Sequence, residues 1–211
     1  MPQLHSKCKL GVGQAGALMT DDLLRVVRNV SRLAALQRTG LLDSVAEPTF
    51  DRLTRLATKT IKTPISLVSL VDSDRQFFKS AVGLQEPWKS RRETPLSYSL
   101  CKHVVATARE LVVDDAREHP VLCGNLAIGE LGMVAYAGVP LVTSAGHALG
   151  SFCVIDTKPR NWTADDLDIL RELGGIAMRE IENRELVQEA EAARRDAEMR
   201  LRNMEDRGAA R

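Results

Sequence analysis

Ile65-Ser66-Leu67-Val68-Ser69-Leu70-Val71-Asp72-Ser73-Asp74-Arg75-Gln76-Phe77-Phe78-Lys79-Ser80-Ala81-Val82 is the stretch that decides the fold. Its first seven residues form a β-rich run, Asp72-Ser73-Asp74 supplies a turn, and residues 75–82 read as the return strand of a hairpin. Thr63-Pro64 bars helix just before it, because a residue preceding proline is pushed toward extended geometry. Downstream, residues 135–142 and 149–155 flank Thr143-Ser144-Ala145-Gly146-His147 and predict a second hairpin, with Gly146 available for positive φ. Residues 111–113 read as a short strand between the two. Pro140 fits a strand only at an edge or a bulge. Strands in adjacent pairs, with helices before, between and after, predict an α+β fold. Its core is a central antiparallel sheet with helices on both faces and a long C-terminal helix.

Upstream of the hairpin, residues 48–61 read as a helix. Pro48 suits the first turn, where its missing N–H costs nothing, and Phe50, Leu53, Leu56, Ala57 and Ile61 mark a buried face. A starting helix is expected over 21–38, with Thr20 as its cap and Asp21-Asp22 at its positive end. Leu23, Val26, Val27, Val30, Leu33 and Ala34 form one stripe at three-and-four spacing, and Gly40 is the natural stop. Residues 1–20, with Gly11, Gly13 and Gly16 and little periodicity, read as a flexible leader.

The closing helix is the best signalled. Thr163 is an N-cap, Asp166 holds the capping-box position, and Trp162 and Leu167 occupy the two places of a hydrophobic staple. The helix is expected over 164–204. Ile169, Leu173, Ile176, Glu180, Asn183, Val187, Ala190, Arg194, Ala197, Leu201 and Met204 follow alternating four-and-three steps, a heptad seam with polar interruptions. A rod about 60 Å long cannot all pack on one small domain. A parallel coiled-coil homodimer is therefore expected, with 183–211 as a signalling extension beyond a sensory domain over 21–182.

Composition narrows the function. Lys+Arg number 29 against 28 Asp+Glu in the 211 residues, a net charge of +1, so no global field steers the chain to nucleic acid or an anionic membrane. The apolar runs are far shorter than a bilayer span, and no apolar core follows the lysines of the first ten residues. A cytoplasmic protein is expected. The four cysteines, Cys8, Cys101, Cys123 and Cys153, form no CxxC pair and no zinc spacing. No metal is expected, and in a reducing compartment no structural disulfide.

The segment 32–182 resembles a GAF domain of the bacterial branch found in sensor kinases, phosphatases and cyclases. The resemblance is carried by Arg32-Leu33-Ala34-Ala35-Leu36 with Gly40-Leu41-Leu42-Asp43; Phe50-Asp51-Arg52-Leu53; and Val68-Ser69-Leu70-Val71-Asp72 with Arg75-Gln76-Phe77-Phe78-Lys79-Ser80 and Gly83-Leu84. It continues through Cys101 and His103, residues 112–116, Tyr136-Ala137-Gly138-Val139-Pro140-Leu141, and Gly150-Ser151-Phe152-Cys153-Val154-Ile155-Asp156. It implies a GAF-like sheet with the first and last helices on one face, a small-ligand pocket under loops on the other, and dimerisation through the terminal helices. It also implies ligand-binding positions at Tyr98, Cys101, His103, Asp115, Arg117, Tyr136 and Cys153.

The expected function is a regulatory small-molecule-sensing or dimerisation domain in bacterial signal transduction. Its C-terminal helix would relay state to an output domain or to a kinase or phosphatase partner. No enzyme activity is expected. Cys101 and His103 stand two apart, a spacing that does not share a helix face, and Lys102 interrupts the adjacent Cys-His pair common in tetrapyrrole-binding relatives. With four Phe, two Tyr and two Trp, the aromatic surroundings of such a chromophore are also missing, so no tetrapyrrole is expected and the cofactor is unassigned. Asp115 beside Arg117 reads first as a loop-stapling acceptor and second as a ligand contact. The alternative is a small cysteine-dependent reductase of the free methionine sulfoxide type, which would need Cys101, Cys123 and Cys153 to meet.

Overall fold

The computed structural model describes residues 14–209, with side chains over 21–200 apart from Gln188. β1 (Ile65–Val71) and β2 (Arg75–Val82) form the expected hairpin, closed where Asp72 N–H donates to the Arg75 carbonyl at 2.8 Å. β5 (Ala135–Val142) and β6 (Ala148–Asp156) form the second. β4 (Leu111–Val113) lies at one edge and β3 (Glu93–Pro95), which carried no sequence signal, at the other. The sheet runs β3-β2-β1-β6-β5-β4, and each neighbouring pair is antiparallel. β4 reaches only to Gly138 on β5, so Pro140 sits where no third strand needs an N–H.

Both faces of the sheet are covered, which is why β1 is buried along its whole length instead of alternating apolar and polar. On one face lie α2 (Val30–Arg38), α3 (Pro48–Ile61) and the first half of α7 (Ala164–Ala209). There Leu36, Phe50 and Ile61 meet Leu70, Val139 and Phe152, together with Leu170, Leu173, Ala177 and Ile181 of α7. On the other face lie α1 (Gln14–Val27), α5 (Cys101–Thr107) and the short α6 (Leu126–Glu130). Their Val27, Val104 and Ala127 share a cluster with Leu67, Phe78, Tyr136 and Cys153. α4 (Trp88–Arg91) and a 3-10 turn (Leu96–Tyr98) complete the connections.

The opening of the chain differs from the single helix expected over 21–38. α1 begins at Gln14, inside the segment read as a leader, so Thr20 is within a helix instead of capping one. Residues 1–13 of that leader lie outside the described residues. The helix breaks at Arg28-Asn29, where Asn29 caps α2 by accepting the Arg32 N–H at 3.0 Å. Arg32 then folds inward, 4% exposed. Its Nε donates to the Val27 carbonyl at 2.8 Å, and its Nη1 to the Ala148 carbonyl at 3.3 Å. One guanidinium thus satisfies the end of α1 and ties it to β6, and desolvation holds its pKa down to about 10. The break turns Val26 and Val30 outward, so the stripe read through them is interrupted, and Ala35 and Leu36 carry the burial. As a consequence α2 shares a face with α7, while α1 packs against α5 on the opposite face.

In α3 the expected core residue Leu56 is half exposed, and Thr54 takes an inward position, bonded to Ser80 Oγ at 2.8 Å. α7 starts as the sequence requires: Asp166 N–H donates to Thr163 Oγ1 at 3.1 Å and Thr163 N–H to Asp166 Oδ2 at 3.2 Å, a reciprocal capping box. Its 46 residues extend about 69 Å. Leu173, placed in the heptad seam from spacing, turns into the domain's own core. Ile176, Asn183, Val187, Ala190, Arg194 and Ala197 are exposed. Leu201 and Met204 lie outside the residues with described side chains. Among the described residues no helix is long and apolar enough to cross a membrane.

Candidate functional site

Between α5, α6 and the sheet lies a small, mostly apolar and partly open cavity of about 30 Å³. That holds a water molecule or two and nothing larger without movement of the cover. Leu67, Phe78 and Ile155 form its floor, Leu131 and Met133 its cover, and Gln76, Tyr98, Cys101 and Tyr136 its polar points. The cover is latched from outside: Tyr98 Oη donates to Glu130 Oε2 at 2.5 Å, and the Tyr98 ring packs at 5.0 Å on Trp88.

The polar heart of the site is a cluster around Cys101. This residue opens α5 and points its thiol at the sheet, where its Sγ lies 3.9 Å from that of Cys153. Tyr136 Oη donates to Cys101 Sγ at 3.4 Å and lies 3.3 Å from Ser151 Oγ. Tyr136 folds over Gly138, two residues along the same face. A Cβ on Gly138 would stand 2.3 Å from that hydroxyl, so the glycine makes room for the ring. Hydrogen bonding from Cys153 holds the Cys101 thiol below its ordinary pKa, aided by Tyr136, Ser69 and Ser151 and opposed by burial. Cys153 is pushed up by its bond to Cys101 and by burial, and Tyr136 is pushed up chiefly by burial. Cys101 accepts from Tyr136, and between the two sulfurs either can donate.

Of the expected site residues, Tyr98, Cys101 and Tyr136 line the cavity, and Cys153 lies directly behind Cys101. His103 is two residues into α5 and turned away from Cys101. Burial pushes its imidazole down to about 4, with the charges of Lys102 and His119 adding to the shift. Asp115 and Arg117 pair with each other at the surface. Asp115 accepts Arg117 Nε at 2.8 Å and the Arg117 N–H at 3.0 Å, which staples the loop after β4. Cys101 and Cys153 are free thiols, while Cys123 is disulfide-bonded. The bond at Cys123 corrects the expectation of no structural disulfide, which rested on compartment and on spacing in the sequence.

Sequence reasoning missed Gln76, Ser69 and Ser99. Gln76 is buried on β2. It accepts Ser99 Oγ at 2.6 Å and Ser69 Oγ at 3.3 Å, and donates to Thr94 Oγ1 at 2.7 Å. The available signal was a polar residue inside an apolar strand run, which marks a satisfied buried network as readily as a site.

The sequence profile of the GAF domain matches residues 20–181. A cyclic di-GMP phosphodiesterase of Pseudomonas aeruginosa is 35% identical over 153 residues, which cover 72% of this chain and 25% of that protein. The chain thus spans about a quarter of the length of that relative. Among solved structures, the GAF domain of an Acinetobacter phosphoenolpyruvate-protein phosphotransferase superposes with a TM-score of 0.55 at 18% identity, covering 79% of this chain and 93% of that one. Free methionine-R-sulfoxide reductase of Neisseria meningitidis gives 0.54 at 18% identity, covering 89% and 99%. These two likenesses establish the shared fold.

Proposed function

The chain belongs to the GAF domain family, and from that premise we propose that it is a signalling domain whose α7 rod passes the state of the sheet domain to an output domain or partner. The observation that carries this reading is the division of α7. Its first half is built into the core through Leu170, Leu173, Ala177 and Ile181. From residue 186 to 200 every described side chain is exposed, including Leu186 and Val187 at 63% and 58%. A rigid helix anchored at one end and free at the other converts a shift of the sheet into rotation or register change at its tip.

On this reading a second copy supplies the partner for the free half. Ile176, Asn183, Val187, Ala190 and Ala197 form the seam, and the polar interruptions keep it weak enough to switch. The narrow cavity is the resting state of a small-molecule site with Tyr98, Cys101, Tyr136 and Cys153 at its centre. His103, Asp115 and Arg117 stand outside the wall. Entry requires release of the Tyr98–Glu130 latch. The domain itself catalyses nothing and works in the cytoplasm.

The test is light scattering of the full chain together with distance measurement between spin labels placed at exposed α7 positions. A dimer with tail-to-tail distances under about two helix diameters, of ~10–12 Å each, is expected. A chain that stays monomeric at high micromolar concentration overturns the relay.

One observation favours a second reading, a cysteine-dependent reductase of the free methionine sulfoxide type: Cys101 and Cys153 do meet, at 3.9 Å. Cys101 lines, and Cys153 lies behind, a cavity too small for an amino-acid sulfoxide. Thiol-dependent turnover of free methionine sulfoxide would install this reading in place of the first.

A further inference from the structure

We propose that Cys101 and Cys153 are a peroxide-oxidised dithiol pair that closes to a disulfide inside the core, making the domain a redox-modified one. The inference goes beyond the relay described above and does not depend on dimer formation.

Geometry carries it. The two sulfurs face each other at 3.9 Å from different elements, Cys101 at the first turn of α5 and Cys153 in the middle of β6. A disulfide needs about 2.05 Å, so closure asks the two sulfurs to approach by roughly half their present separation. The two thiols are also chemically unequal. Cys101 accepts from the Tyr136 hydroxyl at 3.4 Å and forms part of the cavity wall. Cys153 is fully buried behind it. The acceptor thiol is the one that carries thiolate character, and the thiolate is the nucleophile. The cavity beside it selects the oxidant by size. At about 30 Å³ it admits a molecule near the size of water, which hydrogen peroxide is and an amino-acid sulfoxide is not.

The chemistry balances on peroxide alone. The Cys101 thiolate attacks one peroxide oxygen, and the O–O bond breaks. The departing hydroxide takes the proton that Cys101 had released and leaves as water. Cys101 is then a sulfenic acid, the first reversible rung of thiol oxidation. The Cys153 sulfur attacks the Cys101 sulfur and the S–O bond breaks. The Cys153 proton leaves with that oxygen as a second water, and the S–S bond forms. Two thiols lose two electrons and one peroxide gains them. A thiol reductant reverses the step by exchange. Closure withdraws the sulfur acceptor of Tyr136, so the ring reports the redox state of the pair.

The experiment treats the full chain with equimolar hydrogen peroxide, alkylates in denaturant with N-ethylmaleimide, and cleaves with trypsin and a glutamate-specific protease. Cleavage after Glu130 separates Cys123 from Cys153. The expected product is a peptide linking Cys101 to Cys153, two hydrogens lighter than its parts. It should form with a change in the near-ultraviolet circular dichroism of Tyr136 and disappear on reduction. Cys153→Ser and Cys153→Ala should each stop at a Cys101 sulfenic acid trapped by dimedone, with the melting curve recording that both remain folded. Tyr136→Phe should slow formation of the link by up to about tenfold, the loss of one hydrogen bond. The proposal is overturned if Cys101 and Cys153 are both recovered alkylated after peroxide, or if dimedone marks Cys153 in preference to Cys101. An unchanged rate in Tyr136→Phe overturns the role given to the hydroxyl.

Discussion

Arg184 donates through Nη1 to Glu47 Oε2 at 2.6 Å. This bond fastens α7, just past the last buried residue Ile181, to the loop before α3. The same carboxylate holds the Lys79 ammonium at 2.5 Å through its other oxygen. Lys79 is wholly buried, with Ser44 Oγ and the Val45 carbonyl as further acceptors at 2.6 and 2.7 Å and the Phe50 ring 5.6 Å away. Desolvation lowers its pKa, and Glu47 opposes that shift. The point where α7 leaves the domain is therefore pinned to a buried charge.

Removing that anion strands the lysine. Glu47→Ala is expected to destabilise the fold by about 3–5 kcal/mol, the range for breaking one partner of a buried pair. Glu47→Ala with Lys79→Met should recover part of the loss, because an apolar side chain needs no counter-charge. Urea midpoints of the wild type, single and double variants check this. A single variant within about 0.5 kcal/mol of wild type, the usual size of a surface change, contradicts it.

His103 gives a pH dependence with a definite sign. Its folded pKa of about 4 lies below its ordinary 6.5, so between those values the unfolded chain binds the proton that the folded chain refuses. Stability is full above 6.5 and is lost as pH falls toward 4, by up to about 3 kcal/mol. Lys102 and His119 add to burial in setting that shift, and so to the depth of the loss. His103→Gln should flatten the difference between urea midpoints at pH 7 and pH 5. A slope equal to that of the wild type would assign it to other groups.

Gly138→Ala places a methyl 2.3 Å from Tyr136 Oη and 2.8 Å from Ser151 Oγ. Overpacking of this kind costs about 1–3 kcal/mol, and it should push the Tyr136 hydroxyl off Cys101. Lowered thermal stability together with an altered tyrosine signal is expected. Unchanged stability would mean that the ring swings aside freely.

Tyr98→Phe removes the latch to Glu130 and leaves the ring packed on Trp88. Amide hydrogen exchange over residues 126–131 should accelerate several-fold while the exchange of β1 and β6 stays the same. The pair is exposed, so global stability should change little. Equal exchange in both proteins would show that the apolar contacts of Leu131 and Met133 hold the cover without help.

Local signals found every strand but β3, both ends of α3 and the start of α7, whose far end runs to Ala209, past the expected 204, and physics explains why. The turn at Asp72–Asp74, the proline that opens α3 and the Thr163–Asp166 box each act within a few residues. The reading of the opening helix failed because the side chain of Arg32 caps α1 backwards and reaches β6, more than 100 residues away. The four-and-three spacing of α7 does not say what the helix packs against: Leu173 had two possible partners, its own sheet and a second helix, and proximity to the sheet decided. Tyr98, Cys101, Tyr136 and Cys153 came from the family pattern. Gln76, Ser69 and Ser99 stayed hidden because a buried hydrogen-bond network leaves no spacing in the chain.

The sequence by itself determined the family, the antiparallel order of the two hairpins and the long closing helix, since period, turn chemistry and caps are local. The tertiary structure alone decided that Cys101 meets Cys153, that Glu47 joins Lys79 to Arg184, and that the cavity is small. Each of these brings together side chains from elements far apart in the chain. Only the packing of helices on both faces of one sheet fixes distances of that kind.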